Sequence, residues 1–144
     1  MKLQRVVLKE YPKGELQAEH MAIIEEAIPE LAEDQVLLQV EHLSIDAFIR
    51  TTFNEGAFHG TADLGQPIVA LGIGRVFDSR FDGLNQGDAV FGPMGAQTHA
   101  VLPGAMLQKI DEDELPARAH LGVLGVTTGL TAYAGIVRVG EVQA

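Results

Sequence analysis

Residues 65–93 read GQPIVALGIGRVFDSRFDGLNQGDAVFGP, and the spacing of glycine among β-branched and aromatic residues in this run decides the fold. Gly72 and Gly74 interrupt an apolar strand that Arg75, Val76 and Phe77 continue. Glycine inside a strand weakens it unless the sheet bends there or another backbone passes close, so the pattern predicts a sharply bent barrel strand. Gly83 and the Gly87-Asp88 pair punctuate turns, the second just ahead of a strand over Ala89 to Phe91. Gly72-Ile73-Gly74 does not make a dinucleotide fingerprint, because the third glycine is missing and no helix follows.

Extended segments flank this region on both sides. Leu3 to Lys9 predicts a strand that exits through the turn Tyr11-Pro12-Lys13-Gly14. His20 to Ile28 is a second extended run, closed by Pro29 and an acidic loop through Asp34. Val36, Leu38 and Val40 alternate with Leu37, Gln39 and Glu41, the period of a half-buried strand. Downstream, Thr98 to Leu102 predicts another strand, Pro103 to Ala105 a turn and Leu107 to Ile110 a short extended piece. Asp111 to Glu114 predicts a helix start, since acidic residues favour the N-terminus and Pro116 is tolerated in the first turn.

Two stretches read as helix. In LSIDAFIR, residues 43–50, Asp46 is a good N-cap for a short turn over Ala47 to Arg50. In LGVLGVTTGLTAYAGIVRVG, residues 121–140, Thr127 or Thr128 serves as N-cap and Gly129 relaxes the entry. Leu130, Tyr133, Ala134 and Val137 form one apolar stripe, which gives Tyr133 a packing role, and Gly140 stops the helix with Arg138 in its last turn. Between these stretches, Thr51 to Gln66 is small and polar with Gly56, Gly60 and Gly65, the composition of a long mobile loop. Its Phe53, Phe58 and His59 are exposed aromatics suited to an apolar ligand, or simply members of a surface loop.

The composition narrows the function classes. With 144 residues, 47% of them hydrophobic, the chain is large enough for one domain with a real core. A formal charge of −10 repels phosphate backbones and anionic lipid, which disfavours nucleic-acid and membrane-surface partners. No cysteine is present, so there is no disulfide framework, thiolate nucleophile or cysteine-bound zinc. The five histidines lack the spacing of a helical metal site. The first residues lack a signal-peptide core, and no apolar run approaches the ~20 residues needed to span a bilayer; a soluble, cytoplasmic protein is expected.

GLTAYAGI at residues 129–136 resembles the segment joining the catalytic and nucleotide-binding domains in the zinc-lacking branch of the medium-chain dehydrogenase/reductase superfamily, near the NADP-dependent prostaglandin and alkenal double-bond reductases. LSIDAFIR resembles the family's Ser-hydrophobic-Asp-Pro-Tyr-Met-Arg motif, with Ala47 in place of the frequent proline and Phe48 in place of a pocket-lining tyrosine. The Gly-rich strand, Gly-Asp turn and following strand are similar to the superfamily's GroES-like barrel. Where the family often carries Gly-Met-Pro-Gly, this chain has Val126, Thr127, Thr128 and Gly129.

The resemblance implies hydride transfer from NADPH to the carbon β to a carbonyl, without zinc. The protein's part is to align cofactor and alkene and to stabilise the developing enolate. It further implies a substrate pocket for a small apolar enone or enal near Phe48, Phe53 and Phe58, and cofactor contacts from Thr127, Thr128 and Thr131. Thr131 reads equally well as an ordinary helix-entry threonine, and Arg50 as a locally paired side chain rather than an anion counter-charge.

The expected fold is therefore mainly β with short helices: a GroES-like, partly open barrel over residues 1–125, then a linking helix over 126–144. That helix would lead to a Rossmann domain absent from these residues. The expected role is the N-terminal catalytic domain of an NADP-dependent enone or enal reductase, inactive by itself, with an apolar face around Leu130 to Val137 through which a homodimer forms. A stand-alone GroES-like binding module is the alternative.

Overall fold

The computed structural model describes residues 1–58 and 60–143; His59, named above as a ligand contact, lies outside them. The chain folds mainly as β-structure, with β1 Lys2–Leu8, β2 Met21–Ala27, β3 Gln35–Leu43, β4 Gly72–Ser79, β5 Ala89–Gly92, β6 His99–Pro103 and β7 Gln108–Lys109. One sheet has the order β6-β3-β4-β5-β7 and a two-stranded sheet pairs β1 with β2, all antiparallel. This is the expected partly open barrel.

Backbone hydrogen bonds tie the two sheets together. Val6 on β1 donates its N–H to the Ala96 carbonyl (2.8 Å), Ala96 donates to Ile68 (2.8 Å), and Ile68 donates back to Val6 (2.9 Å). Three distant segments thus close a triangle of hydrogen bonds. Thr98 extends the seam, donating to Gln4 (2.8 Å) while its own carbonyl accepts from Val40 on β3 (2.9 Å).

The bend predicted at Gly72 is present. The β3–β4 register shifts between Val40 and His42, and a Cβ on Gly72 would lie 2.7 Å from the His42 carbonyl oxygen and 2.8 Å from Met94 Cγ. Only glycine lets the two strands approach this closely at the kink. Inside, Val36, Leu38, Val76, Val90, Met94 and Ala100 form the main core. Leu37 is buried as well, so the start of β3 is covered on both faces rather than half-exposed.

The helical predictions need more correction. The α1 helix spans Ala47–Thr51, but Asp46 does not cap it with its side chain; the carboxylate instead accepts the Ser44 hydroxyl at 2.7 Å. A hydroxyl two residues upstream has out-competed the helix N–H groups. Asp111 to Glu114 starts no helix. Pro116 stands outside the helical turn Ala117–Leu121 as its N-cap, and Glu112 is held by Arg75 instead. The loop after α1 is tied down: Ala62 donates to the Thr52 carbonyl (2.8 Å) and Gly65 to that of Leu8 (2.9 Å), and Tyr11 donates its hydroxyl to the Ala62 carbonyl (2.9 Å).

The last helix runs π-type over Val126–Leu130, α over Thr131–Tyr133, labelled α2, and π-type over Ala134–Val139, stopping at Gly140 as expected. Its N-cap is Gly125, not Thr127 or Thr128, and no side chain caps it. Gly129 serves close contact rather than flexibility, because a Cβ there would fall 1.8 Å from the Val123 carbonyl oxygen. Leu130, Tyr133, Ile136 and Val137 are exposed, Tyr133 by 56%, so the packing expected for Tyr133 is not made within this chain.

Candidate functional site

An open apolar groove of about 620 Å³ lies between β1, β2, α1 and the segment before β4. The second hydrophobic cluster, Leu8, Ile49, Phe53 and Ile68, builds it from below: Ile49 and Phe53 turn inward from α1 and the residues after it, and Ile68 from the seam. Val6, Leu16, Met21, Ile45 and Val69 complete the walls. Ile45 is 84% exposed, an apolar side chain at the mouth.

A second, narrow crevice of about 20 Å³ is lined by Ser44, Leu71, Phe91, His120, Gly125 and Thr127. It shares a rung with the groove: Ser44 donates its N–H to the Leu71 carbonyl at 2.8 Å, while the next residues, Ile45, Asp46 and Ala70, belong to the groove. Neighbouring residues of an extended chain face opposite ways, so one pair of backbones separates the apolar groove from a crevice that is also mostly apolar and carries Ser44, His120 and Thr127 in its lining.

The expected site residues divide accordingly. Phe53 lines the groove but is buried, 3% exposed. That corrects its reading as an exposed aromatic and makes it the floor rather than a mobile contact. Phe48 packs against the same cluster from its edge. Phe58 is 96% exposed and stands apart from the groove lining. Thr127, Thr128 and Thr131 all lie exposed on the last helix, and of the three only Thr127 borders the crevice. The structure therefore brings Phe53 and Thr127 to adjoining recesses and leaves Phe58, Thr128 and Thr131 outside them. Val6 and Met21 enter the groove from the first two strands and Leu16 from the connection between them, where the local sequence marks them only as apolar; Ile45, an isoleucine just before a cap, carried the one available hint.

Arg50 points from α1 to the groove and donates to the Gly14 carbonyl at 2.8 Å and to Asn54 Oδ1 at 3.3 Å, the local pairing expected. The carboxyls held below their usual range sit elsewhere. The Arg75 hydrogen bond lowers Glu112, and the Asn85 N–H with the Lys109 ammonium lowers Asp88. Among the described residues no group of three or more His, Asp or Glu side chains could hold a metal, and no helix is long and apolar enough to cross a membrane.

Comparison with known proteins places this geometry in context. Residues 4–110 match the family described as the N-terminal domain of oxidoreductase. The chain is 32% identical over 143 residues to the putative NADP-dependent oxidoreductase YfmJ of Bacillus subtilis, covering 96% of this chain and 40% of that protein. It is 31% identical over 139 residues to the NADP(+)-dependent 2-alkenal reductase of Nicotiana tabacum, covering 92% and 40%. The crystal structure of CurA in complex with NADPH from Vibrio vulnificus superposes with a TM-score of 0.85 at 24% identity, over 97% of this chain and 42% of that one. The chain thus spans about 40% of the length of these relatives.

Proposed function

This chain belongs to the family of N-terminal domains of oxidoreductases, in the alkenal and prostaglandin reductase branch of the medium-chain dehydrogenase/reductases, and from that membership we propose that it forms the substrate side of an NADPH-dependent reductase of enone and enal double bonds. The observation that carries the reading is the shared rung at Ser44 and Leu71, which sets an apolar groove beside a narrow crevice bordered by Thr127.

In this arrangement the groove takes the apolar body of the substrate and excludes water from it, with Phe53 as floor and Ile45 at the mouth. NADPH, when bound, supplies a hydride equivalent. Thr127 is the residue best placed to hold its reactive end, since its hydroxyl borders the crevice and makes no hydrogen bond within the described chain; Thr128 and Thr131 are exposed along the same helix and would meet the more distant parts. The Thr127 hydroxyl at this edge is suited to receive charge developing on the substrate oxygen.

Residues 1–125 act as the catalytic domain and 126–144 as the link toward the nucleotide-binding part. The exposed stripe Leu130, Tyr133, Ile136 and Val137 supports a link helix that is covered in the working enzyme and self-associates when uncovered, giving a homodimer. A cytoplasmic location fits, because NADPH-dependent reduction draws on the reducing pool there. The test is loss of NADPH absorbance with an uncharged 2-alkenal, comparing the 144-residue chain with the complete product of its reading frame. Turnover by the complete product and none by the 144-residue chain is expected; robust turnover by the chain alone overturns the division of labour, and none by either overturns the activity.

A further inference from the structure

One side chain of the groove is placed as though an anion were meant to join it. Arg50 reaches the groove from the last turn of α1, and its guanidinium is fixed by two neutral acceptors, the Gly14 carbonyl at 2.8 Å and Asn54 Oδ1 at 3.3 Å. A guanidinium has five N–H donors arranged to fit a carboxylate edge, so these bonds orient the group while leaving donors and the whole charge uncompensated. Among the described residues the ion pairs employ Lys2, Arg5, Arg75 and Lys109; Arg50 makes none. Lys9, Lys13, Arg80, Arg118 and Arg138 make none either, but of these six only Arg50 lines the apolar groove.

The surroundings define what would complement it. The remaining lining is apolar apart from Asp46, whose carboxylate is engaged by the Ser44 hydroxyl at 2.7 Å and would repel a second anion from its end. An anionic head is therefore drawn to Arg50, with an apolar body lying along Val6, Met21, Phe53 and Ile68. A charge-assisted bond in such a partly desolvated recess is stronger than one made in open water.

We propose that Arg50 is a specificity-determining residue that selects apolar ligands carrying a carboxylate over neutral ones of the same length. This goes past the reductase reading, because an alkenal carries no such head group, and it stands or falls by binding alone.

The test uses calorimetric titration of the chain with decanoate and with decanol, which share the apolar body and differ in the head. Decanoate should bind about ten-fold more tightly, the scale of one charge-assisted hydrogen bond, and the preference should shrink as salt is raised. Arg50→Met should abolish the preference while decanol binding stays as in the parent; Arg50→Lys should keep part of it, which separates charge from any disturbance of the Gly14 turn. Ile45→Asp, at an exposed position of the mouth, should weaken both ligands. Equal binding of the two ligands by the parent chain, absence of binding by both, or a preference that survives Arg50→Met would each overturn the proposal. None of these results bears on NADPH oxidation with an uncharged alkenal, so the two readings fail separately.

Discussion

Glu112 and Arg75 lie 37 positions apart and meet through a guanidinium–carboxylate hydrogen bond of 2.6 Å, while the same arginine reaches Glu41 on β3 at 3.1 Å. Arg75 thereby pins the segment after β7 to the outer face of the main sheet. Exposed pairs of this type contribute only about 0.2–1 kcal/mol each. Arg75→Met should cost about 1 kcal/mol in urea denaturation at low salt, and less at high salt.

Acid stability follows from the same pair. Glu112 is held below the ordinary glutamate value of 4.5 by the hydrogen bond from Arg75. A depressed carboxylate favours the folded state at pH above the unfolded value, and that contribution is lost as pH falls through the lower folded value. Denaturation midpoints should therefore fall as pH drops below about 4.5, and Glu112→Gln should flatten the fall. Asp88 is also depressed, first by the Asn85 N–H and then by Lys109, so the slope will be reduced rather than removed.

Phe53→Ala should be the most costly change at the groove. The side chain is 3% exposed, and truncating a buried phenylalanine typically costs about 3–5 kcal/mol. Phe58→Ala, at a position 96% exposed, should stay within about 0.5 kcal/mol. Thermal or chemical denaturation of the two variants side by side checks the contrast; a Phe53→Ala protein of parental stability would place that ring outside the core.

Gly129→Ala tests the seating of the last helix. The added Cβ has no room against Val123, and overpacking of this kind costs about 1–3 kcal/mol. The helix buries little, so the effect should be local. Amide exchange over Leu130–Val139 should accelerate while β3 and β4 keep their protection.

The exposed stripe of that helix should make the chain associate. Sedimentation velocity should show mass rising with concentration, and Leu130→Glu with Ile136→Glu should hold the chain monomeric. Concentration-independent monomer in the parent would rule out this surface as the contact.

The β-framework was readable because its signals are local and physical. Gly72 stands at a bend, the Gly87-Asp88 turn precedes β5, and alternation marks β3. Capping was less readable, since it depends on competition: Asp46 has the right residue type in the right place, yet Ser44 offers it a better partner. The acidic run before Pro116 misled for a similar reason, because its strongest attraction lies at Arg75, far off in the chain. The site was half legible. Phe53 and Thr127 stand at the two recesses, but the walls from Val6 and Met21 come from the pairing of β1 with β2, and that from Leu16 from the connection between them, which leaves no mark on a single segment.

The triangle formed by Val6, Ile68 and Ala96 is written entirely in peptide groups. Its three donors and three acceptors are common to every residue except proline, so side chains at the junction can be exchanged freely as long as they fit. Barrel closure is thereby insulated from sequence drift. A protein sharing 24% of its residues keeps the same frame, with a TM-score of 0.85.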